Sequence, residues 1–291
     1  MVLSPLFAAT LLAQAVSAPS PTVEGAVRRI IAASGAEVSV AYRTLDGRSE
    51  LLIDADRTFH AASTMKVPVM IELFRQAHAG LLALDDPLPV VNRFHSIVDG
   101  SQYAMSEADA ADKDVVAALG RTLSLRQLCE AMITVSSNFA TNLLIEKLGA
   151  ENIRQTVRSL GAEGMHVLRG VEDQKAFDRG LNNTTTARAL LVLLERVAQG
   201  RAVAPEADAE MIRILSREKA SQGTIPAGVP AGTLVAHKGG NVTRIHHDGA
   251  IVYAPQPYVL VVLVRGMDEL NKSAAVIAAI SKVIYEAGRQ P

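Results

Sequence analysis

The sequence predicts a mixed α/β fold, of the α+β kind, with two lobes. Apolar and polar residues alternate near both ends of the chain, whereas a long middle region repeats its apolar residues at the helical period. With 291 residues, 49% of them hydrophobic, the chain can bury one large core or two small ones. We therefore expect an antiparallel sheet from both chain ends, covered by terminal helices, and an all-helical middle lobe, with a cleft between them.

Residues 1–18, MVLSPLFAATLLAQAVSA, predict a secretory signal peptide. The stretch is apolar, too short to span a bilayer, and ends in the small-residue pattern Val16-Ser17-Ala18. Its first part lacks Lys and Arg, so the amino terminus supplies the only positive charge, and a frayed apolar terminus is the alternative. We expect a periplasmic or secreted protein without a membrane span, whose mature domain is 19–291.

The order of the patterned segments assigns each lobe its part of the chain. The α/β lobe is 19–58 and 217–291, and the helical lobe is 59–216. Within the first lobe we expect, in order, a helix near Glu24 to Ala33, a hairpin turning at Asp46-Gly47, the strands TLVAHKG, GAIVYA and YVLVVLVRG, and a closing helix KSAAVIAAISKVIYEAG. In the middle lobe, the stretch from Asp99 to Asp114 predicts a solvated acidic loop, in which Tyr103 could line the cleft rim.

Charge and cysteine content exclude several classes of function. The formal charge is -1 and no run of Lys or Arg occurs, so we expect neither nucleic acid nor an anionic membrane as a partner. Cys129 is the only cysteine and lies in an apolar stripe, which predicts a buried, inert thiol and no intrachain disulfide. The seven histidines show no H-x-H or H-E-x-x-H spacing, so we predict no metal and no cofactor. The expected partner is a small neutral or anionic molecule, bound by a monomer.

HAASTMKVPVM, residues 60–70, places Ser63 and Lys66 three positions apart at the start of a predicted helix. One turn apart on one face, the amine can reach the hydroxyl, and burial would lower its pKa until it can accept the serine proton. The same spacing at Ser216 and Lys219 lies in the polar stretch LSREKAS, which would leave both groups in water. Ser63 and Lys66 are therefore the candidate nucleophile and its activating partner.

Two further patterns follow along the chain. Ser136-Ser137-Asn138 interrupts two helical segments, where Asn138 alone could be an ordinary helix N-cap. His237-Lys238-Gly239-Gly240 ends a predicted strand, where paired glycines such as Gly240 allow a ligand to approach the backbone closely, although Lys-Gly-Gly alone is often a simple turn.

Together, the three patterns resemble the S-x-x-K, S-D-N and K-T-G motifs of class A β-lactamases and penicillin-binding proteins, in the same order. The surroundings are similar as well: MITVSSNFATNLL resembles the helix-turn-helix of the second motif, and NNTTTARAL the helix that follows the omega loop. The resemblance covers nearly the whole mature chain and implies the β-lactamase-like fold.

This resemblance implies a role for each matching residue. Ser63 would be the acylated nucleophile and Lys66 its proton partner. Ser136 would relay a proton to the leaving nitrogen, Asn138 would hold the substrate amide, and Lys238 would bind the substrate carboxylate. The backbone N–H groups of Ser63 and Asn241 would form the oxyanion hole.

The chain departs from the family motifs at two positions beside these residues. Ser137 replaces the aspartate of the second motif, and Gly239 replaces a hydroxyl residue that normally helps to hold the carboxylate. Arg244 or His246 could assist carboxylate binding instead. Because a strand alternates its faces, only some of Arg244, His246, His247 and Asp248 can point inward.

The omega loop offers two candidates for the general base, which the family motif Arg-x-Glu-x-x-Leu-Asn would supply. The segment here runs from Arg169 to Asn182 without an exact match. Glu172 matches if the loop has slipped by one residue after Arg169, and Asp178 matches if Leu181 and Asn182 anchor the alignment. We favour Glu172, because its longer side chain better reaches a deacylating water.

The resemblance implies a serine hydrolase that opens β-lactam rings through a Ser63 acyl-enzyme, which an activated water then hydrolyses. Its substrate would be a small β-lactam or a peptidoglycan-like peptide. The alternatives are a DD-peptidase or penicillin-binding protein, a related serine esterase, and a sensor or scaffold that keeps the fold without turnover.

Overall fold

The structure is a computed structural model that describes residues 21–106 and 112–288. The predicted signal peptide at 1–18 lies outside the described residues and stays a prediction. Two acidic residues of the expected surface loop, Glu107 and Asp109, also lie outside them. Asp112 caps a short helix by accepting the backbone N–H of Asp114.

A five-stranded antiparallel sheet combines the two ends of the chain, as predicted. Its strand order is β2-β1-β11-β10-β9, so the β1–β2 hairpin adds to one edge of the carboxy-terminal meander. The strands are β1 Glu37–Thr44, β2 Glu50–Ile53, β9 Leu234–Val242, β10 Ile245–Tyr253 and β11 Tyr258–Arg265. Strand β9, which carries the His-Lys-Gly-Gly pattern, is therefore an edge strand.

Terminal helices cover one face of this sheet. Helix α1 spans Pro21–Ser34 and helix α10 spans Leu270–Ala287. Val27 and Ile277 from these helices are buried in one cluster with Val40 and Val262 of the sheet. The opposite face, which includes Ala236 and Leu263, packs on the middle lobe. The sheet is thus buried on both faces, and its strands β10 and β11 are buried along almost their whole length.

Eight helices build most of the middle lobe in the described part of the chain. They are α2 Lys66–His78, α3 Lys113–Ala117, α4 Leu125–Thr134, α5 Asn138–Leu148, α6 Ala150–Ser159, α7 Gln174–Asp178, α8 Ala187–Ala198 and α9 Pro205–Leu215. Short 3₁₀ turns lie at Ala62–Met65, directly before α2, and at Ile225–Gly228, between α9 and β9.

The expectation of an all-helical middle lobe is wrong in one respect, because three small antiparallel pairs connect its helices. They are β3 Phe59–His60 with β8 Thr184–Thr185, β4 Pro87–Pro89 with β7 Thr122–Ser124, and β5 Phe94–His95 with β6 Gln102–Tyr103. Segments of two or three residues are too short to show alternation, so the sequence pattern could not reveal them.

Cys129 is fully buried in the core of the middle lobe, and burial raises the pKa of its thiol to about 12. This confirms the prediction that the thiol is buried, and a raised pKa favours the unreactive protonated form. Between residues 21 and 288, leaving out 107–111, no helix is both long and apolar enough to cross a membrane.

Candidate active site

Ser63 lies on the 3₁₀ turn that runs directly into helix α2. The predicted helix therefore begins at Lys66, three residues later than Ser63. The preceding residue, Ala62, has φ 45°, a left-handed conformation that non-glycine residues rarely adopt. Such backbone strain concentrates at functional sites. Ser63 is half-buried, whereas Lys66 is completely buried.

The amine of Lys66 bonds to the second motif. Its Nζ donates to the backbone oxygen of Ser136 at 2.7 Å, to Ser136 Oγ at 3.1 Å and to Asn138 Oδ1 at 2.9 Å. Within the described residues, no hydrogen bond joins this amine to the hydroxyl of Ser63, contrary to the simplest expectation. Burial, followed by repulsion from Lys238, lowers the pKa of Lys66 well below its usual value, while Glu172 acts in the opposite direction.

Ser136 and Asn138 are positioned by the turn between α4 and α5. Ser136 has φ 58°, which turns its backbone oxygen and hydroxyl together toward Lys66. Ser137 is the N-cap of α5 and accepts the backbone N–H of Ala140 at 3.1 Å. The alternative that Asn138 is only an N-cap is therefore wrong, because the neighbouring serine fills that position.

Lys238 approaches the same hydroxyl from the sheet. It is 1% exposed, and its Nζ donates to Ser136 Oγ at 3.1 Å and to the backbone oxygen of Gly239 at 2.8 Å. Burial lowers its pKa, and the nearby Glu218 carboxylate, 3.7 Å from Nζ, opposes that shift. Ser136 Oγ thus accepts hydrogen bonds from two buried lysines on two different lobes.

Strand β9 packs directly against the nucleophile. A Cβ atom added to Gly240 would lie 2.4 Å from the backbone nitrogen of Ser63 and 3.0 Å from its Cα. Any side chain at residue 240 would therefore push the two backbones apart. The expected close approach of a ligand to this glycine stays a prediction. Asn241, the next residue, follows at the exposed end of the strand.

A buried ionic cluster lies behind Lys238, and sequence reasoning missed most of it. His237 Nδ1 is 3.2 Å from Asp248 and its Nε2 is 3.3 Å from Glu218, both buried. Burial alone would lower the pKa of His237, but Asp248 and Glu218 together raise it. Glu218 stands in the polar stretch next to Lys219, which contains no pattern that separates it from a surface residue. The hydroxyl of Ser216, which has the same spacing to Lys219 as Ser63 has to Lys66, donates to the Arg213 carbonyl at 2.9 Å.

Glu172 is the omega-loop carboxylate that reaches the second motif. Its Oε1 lies 3.5 Å from Asn138 Nδ2, and its φ is 61°. Asp178, the alternative, is exposed and accepts a hydrogen bond from Gln174 Nε2 at 2.6 Å. Of the two candidates, only Glu172 contacts a residue of the three motifs in the described part of the chain.

Both neighbours of Glu172 are fixed to the rest of the protein. Val171 is held by Asn142, whose Oδ1 accepts the Val171 N–H at 2.6 Å and whose Nδ2 donates to the Val171 oxygen at 2.9 Å. Asp173 accepts from the Ser96 hydroxyl at 2.9 Å and from the Ile97 N–H at 3.0 Å. Tyr103 also contacts this segment, because its hydroxyl donates to the Val171 oxygen at 3.0 Å, while its expected place at the cleft rim stays a prediction.

Arg169, which anchors one alignment of the omega loop, is hydrogen-bonded to Leu181 and Asn182, which anchor the other. Its guanidinium is nearly buried and donates to the Leu181 oxygen at 2.8 Å and to Asn182 Oδ1 at 3.2 Å. The start and end of the omega loop are therefore closed by one side chain.

Arg244 and His246 bond to other partners on the far side of β9 and β10. Arg244 lies in the turn between these strands, where it donates to the Gly266 oxygen at 2.9 Å and pairs with Asp268 at 3.1 Å. His246 Nδ1 is 2.8 Å from Ser273 Oγ, and burial lowers its pKa. With Asn241 they line a cavity of about 280 Å³. His247, on the opposite face of the strand, lies 2.9 Å from the backbone oxygen of His60.

Across the described ranges, no group of His, Cys, Asp and Glu side chains is arranged to hold a metal ion. The chemistry available to this cluster is that of a half-buried serine beside two buried amines, a bridging hydroxyl and a nearby carboxylate.

Comparison with known proteins identifies the family and the fold. A family model described as the beta-lactamase enzyme family matches residues 22–287. A beta-lactamase of Bacillus licheniformis is 30% identical over 57% of this chain and 56% of that protein, and one of Amycolatopsis lactamdurans is 28% identical over 94% and 87%. The solved structure of PBP-A superposes with a TM-score of 0.79 at 23% identity, covering 94% of this chain and 97% of that one.

Proposed function

The chain belongs to the beta-lactamase enzyme family, and on that premise we propose that it opens β-lactam rings through an acyl-enzyme on Ser63. The observation that carries the proposal is the convergence of Lys66 and Lys238 on Ser136 Oγ, each at 3.1 Å. This convergence lies beside a nucleophile whose backbone nitrogen faces Gly240.

Acylation needs a base for the Ser63 proton and an acid for the leaving nitrogen. The buried amine of Lys66, with its lowered pKa, accepts the proton as Ser63 Oγ attacks the ring carbonyl carbon. As the ring C–N bond breaks, Ser136 gives its hydroxyl proton to the nitrogen and receives one from Lys66. The 3.1 Å contact between Lys66 Nζ and Ser136 Oγ supports this relay.

Backbone N–H groups stabilise the negative charge that develops on the carbonyl oxygen. We assign this role to the N–H groups of Ser63 and Asn241, supported by the closeness of β9 to Ser63 at Gly240. One donor of this kind is worth about 3 kcal/mol of transition-state stabilisation. Lys238 supplies the positive charge that binds the substrate carboxylate, and Asn138 holds the substrate amide.

Hydrolysis of the acyl-enzyme requires a base that activates water, and we assign it to Glu172. Its carboxylate lies 3.5 Å from Asn138 Nδ2, and Asn138 in turn accepts from Lys66. Asp178 makes no such contact in the described chain, and its carboxylate accepts a hydrogen bond from Gln174 instead. The fixed neighbours Val171 and Asp173 hold the base in position.

A penicillin-binding protein, acylated without efficient turnover, is the second candidate. The setting of Glu172 favours it, because this residue is exposed and has a left-handed backbone. In addition, the side chain of Asn142 hydrogen-bonds to the backbone of Val171, and the side chain of Val171 cannot act as a base. In this reading Ser63, Lys66 and Ser136 perform acylation, and water is poorly activated afterwards.

Incubation with a chromogenic cephalosporin and with benzylpenicillin, followed by absorbance and intact-protein mass, tests the proposal. We expect turnover of both compounds and a transient adduct that peptide mapping locates on Ser63. Ser63→Ala should abolish the adduct, while Ser216→Ala, with the same spacing to a lysine, should not.

Each other outcome identifies an alternative. A persistent adduct on Ser63 supports the penicillin-binding protein. Neither turnover nor adduct contradicts both and leaves an esterase or a scaffold. An adduct on Ser216 or Ser136 with Ser63 unmodified would refute the assignment of the nucleophile.

A further inference from the structure

The side chain of Ser221 fills the space beside β9 that a side chain of residue 239 would occupy. A Cβ atom added to Gly239 would lie 2.1 Å from Ser221 Oγ and 2.4 Å from Ser221 Cβ. Gly239 is the position where the third family motif carries a hydroxyl and this chain carries none. A hydroxyl is nevertheless present at that place, supplied by the turn that precedes β9.

The backbone of Ser221 is hydrogen-bonded to Glu218 and to Thr224, which stand three residues before and after it. Its N–H donates to Glu218 Oε2 at 3.0 Å, and the same carboxylate group lies 3.7 Å from Lys238 Nζ. Its oxygen accepts the N–H of Thr224 at 3.2 Å, and the Thr224 hydroxyl donates to Asp248. The turn is thus tied to the ionic cluster behind Lys238, which holds the Ser221 side chain in place.

The hydroxyl itself has no hydrogen-bond partner within residues 21–106 and 112–288, although Ser221 is only 8% exposed. The Ser221 hydroxyl oxygen is not among the fully buried side-chain atoms without a partner in the described residues, so it stays open to water and to a ligand. The hydroxyl lies beside Gly239 of β9. This glycine directly follows Lys238 and stands two residues before Asn241. A hydroxyl that has no hydrogen-bond partner in the described residues and lies at this place on the strand is available to bind a ligand.

We propose that Ser221 is a substrate-binding residue, whose hydroxyl donates to the carboxylate held by Lys238 and so replaces the hydroxyl that Gly239 lacks. The proposal rests on the proposed function and extends it, since it specifies an acidic substrate and a determinant of its binding. Gly239 and Ser221 form a complementary pair in which only one of the two positions can carry a side chain.

Binding of benzylpenicillin and of its methyl ester, measured by calorimetry in a Ser63→Ala background, tests this inference without requiring acylation. Ser221→Ala should raise the Kd of the acid about 10-fold, as expected for a hydrogen bond to a charged group, and that of the ester less than about 2-fold. Ser216→Ala is the matched control and should change neither. Equal losses for acid and ester, or no loss, would overturn the proposal.

Exchange of the two side chains tests the complementarity directly. Gly239→Ser alone should weaken binding of the acid, because it collides with Ser221. In Ser221→Gly/Gly239→Ser the collision is removed, and the nearest remaining atom is the His247 oxygen at 3.3 Å. This double variant should recover affinity for the acid relative to Ser221→Gly. A soluble, folded double variant with no recovery would contradict the inference, whereas absence of acylation in the unmodified protein refutes only the proposed function.

Discussion

Replacement of Gly240 by alanine tests the closest contact between the two lobes. The added Cβ would lie 2.4 Å from the Ser63 nitrogen, 3.0 Å from Ser63 Cα and 3.0 Å from the Thr64 nitrogen. All three atoms belong to the backbone, so no side chain can rotate away. To restore an ordinary contact distance, β9 and the 3₁₀ turn must separate by about 1 Å.

That displacement allows the loss of activity to be estimated. Oxyanion donors act at about 2.7–3.1 Å, and an additional 1 Å at one donor removes most of its contribution. We therefore expect the rate of acylation to fall about 100- to 1,000-fold, corresponding to about 3–4 kcal/mol of transition-state stabilisation. Binding of the carboxylate through Lys238 should change much less, because that amine is anchored by Ser136 and Glu218.

Stopped-flow measurement of acyl-enzyme formation with a chromogenic cephalosporin reports this rate directly. Gly25→Ala is the matched control, since its Cβ would lie 3.5 Å from the nearest atom, in helix α1 and away from the cluster. Denaturant unfolding of both variants separates a local displacement from loss of the fold. Acylation by Gly240→Ala within about threefold of the unmodified rate would refute the reasoning, because the oxyanion hole could not then depend on this approach.

Three other predictions follow from the same cluster. Glu172→Gln should slow turnover about 100- to 10,000-fold and trap a covalent adduct visible by mass, whereas Asp178→Asn should do much less. Reversed effects would identify Asp178 as the base. Lys238→Ala should raise the Kd of a carboxylate substrate about 10- to 100-fold relative to its methyl ester, while the exposed Lys219→Ala should not. Equal losses for acid and ester would place the anchor elsewhere. The pKa of His237 is raised in the folded state, so its contribution to stability is complete below its unfolded pKa of about 6.5 and is lost as pH rises through the folded value. Urea unfolding between pH 6 and pH 9 should therefore show a decline that His237→Gln reduces, and an identical slope in the variant would contradict it.

Features that depend on local periodicity were predictable from the sequence. The β1–β2 hairpin, the long strands β9 to β11 and the helices α1 and α10 all follow from alternation or the 3.6-residue period. Ser63, Lys66, Ser136, Asn138 and Lys238 were found because their short motifs occur in a fixed order, and the structure brings four of them into direct contact.

Residues that act through distant contacts were not predictable. Glu218 reaches Lys238 across a turn, and Asn142 holds Val171 although 29 positions separate them. No spacing rule relates such pairs, because the fold alone decides which buried polar groups meet. Ser221 escaped notice for the same reason, since its relevance follows from an absent side chain at Gly239.

The two hydrogen bonds that Ser136 Oγ accepts also restrict the rotation of its hydroxyl group. A hydroxyl oxygen has two lone pairs and one proton. When both amines are charged, Lys66 and Lys238 occupy the two lone pairs. The proton is then left with the remaining tetrahedral direction, so the rotation that a serine hydroxyl normally loses when it meets a substrate has already been lost on folding. In the proposed mechanism, a proton donor whose direction is set in advance need not search for the leaving nitrogen. Preorganisation of this kind lowers a barrier without adding a new contact.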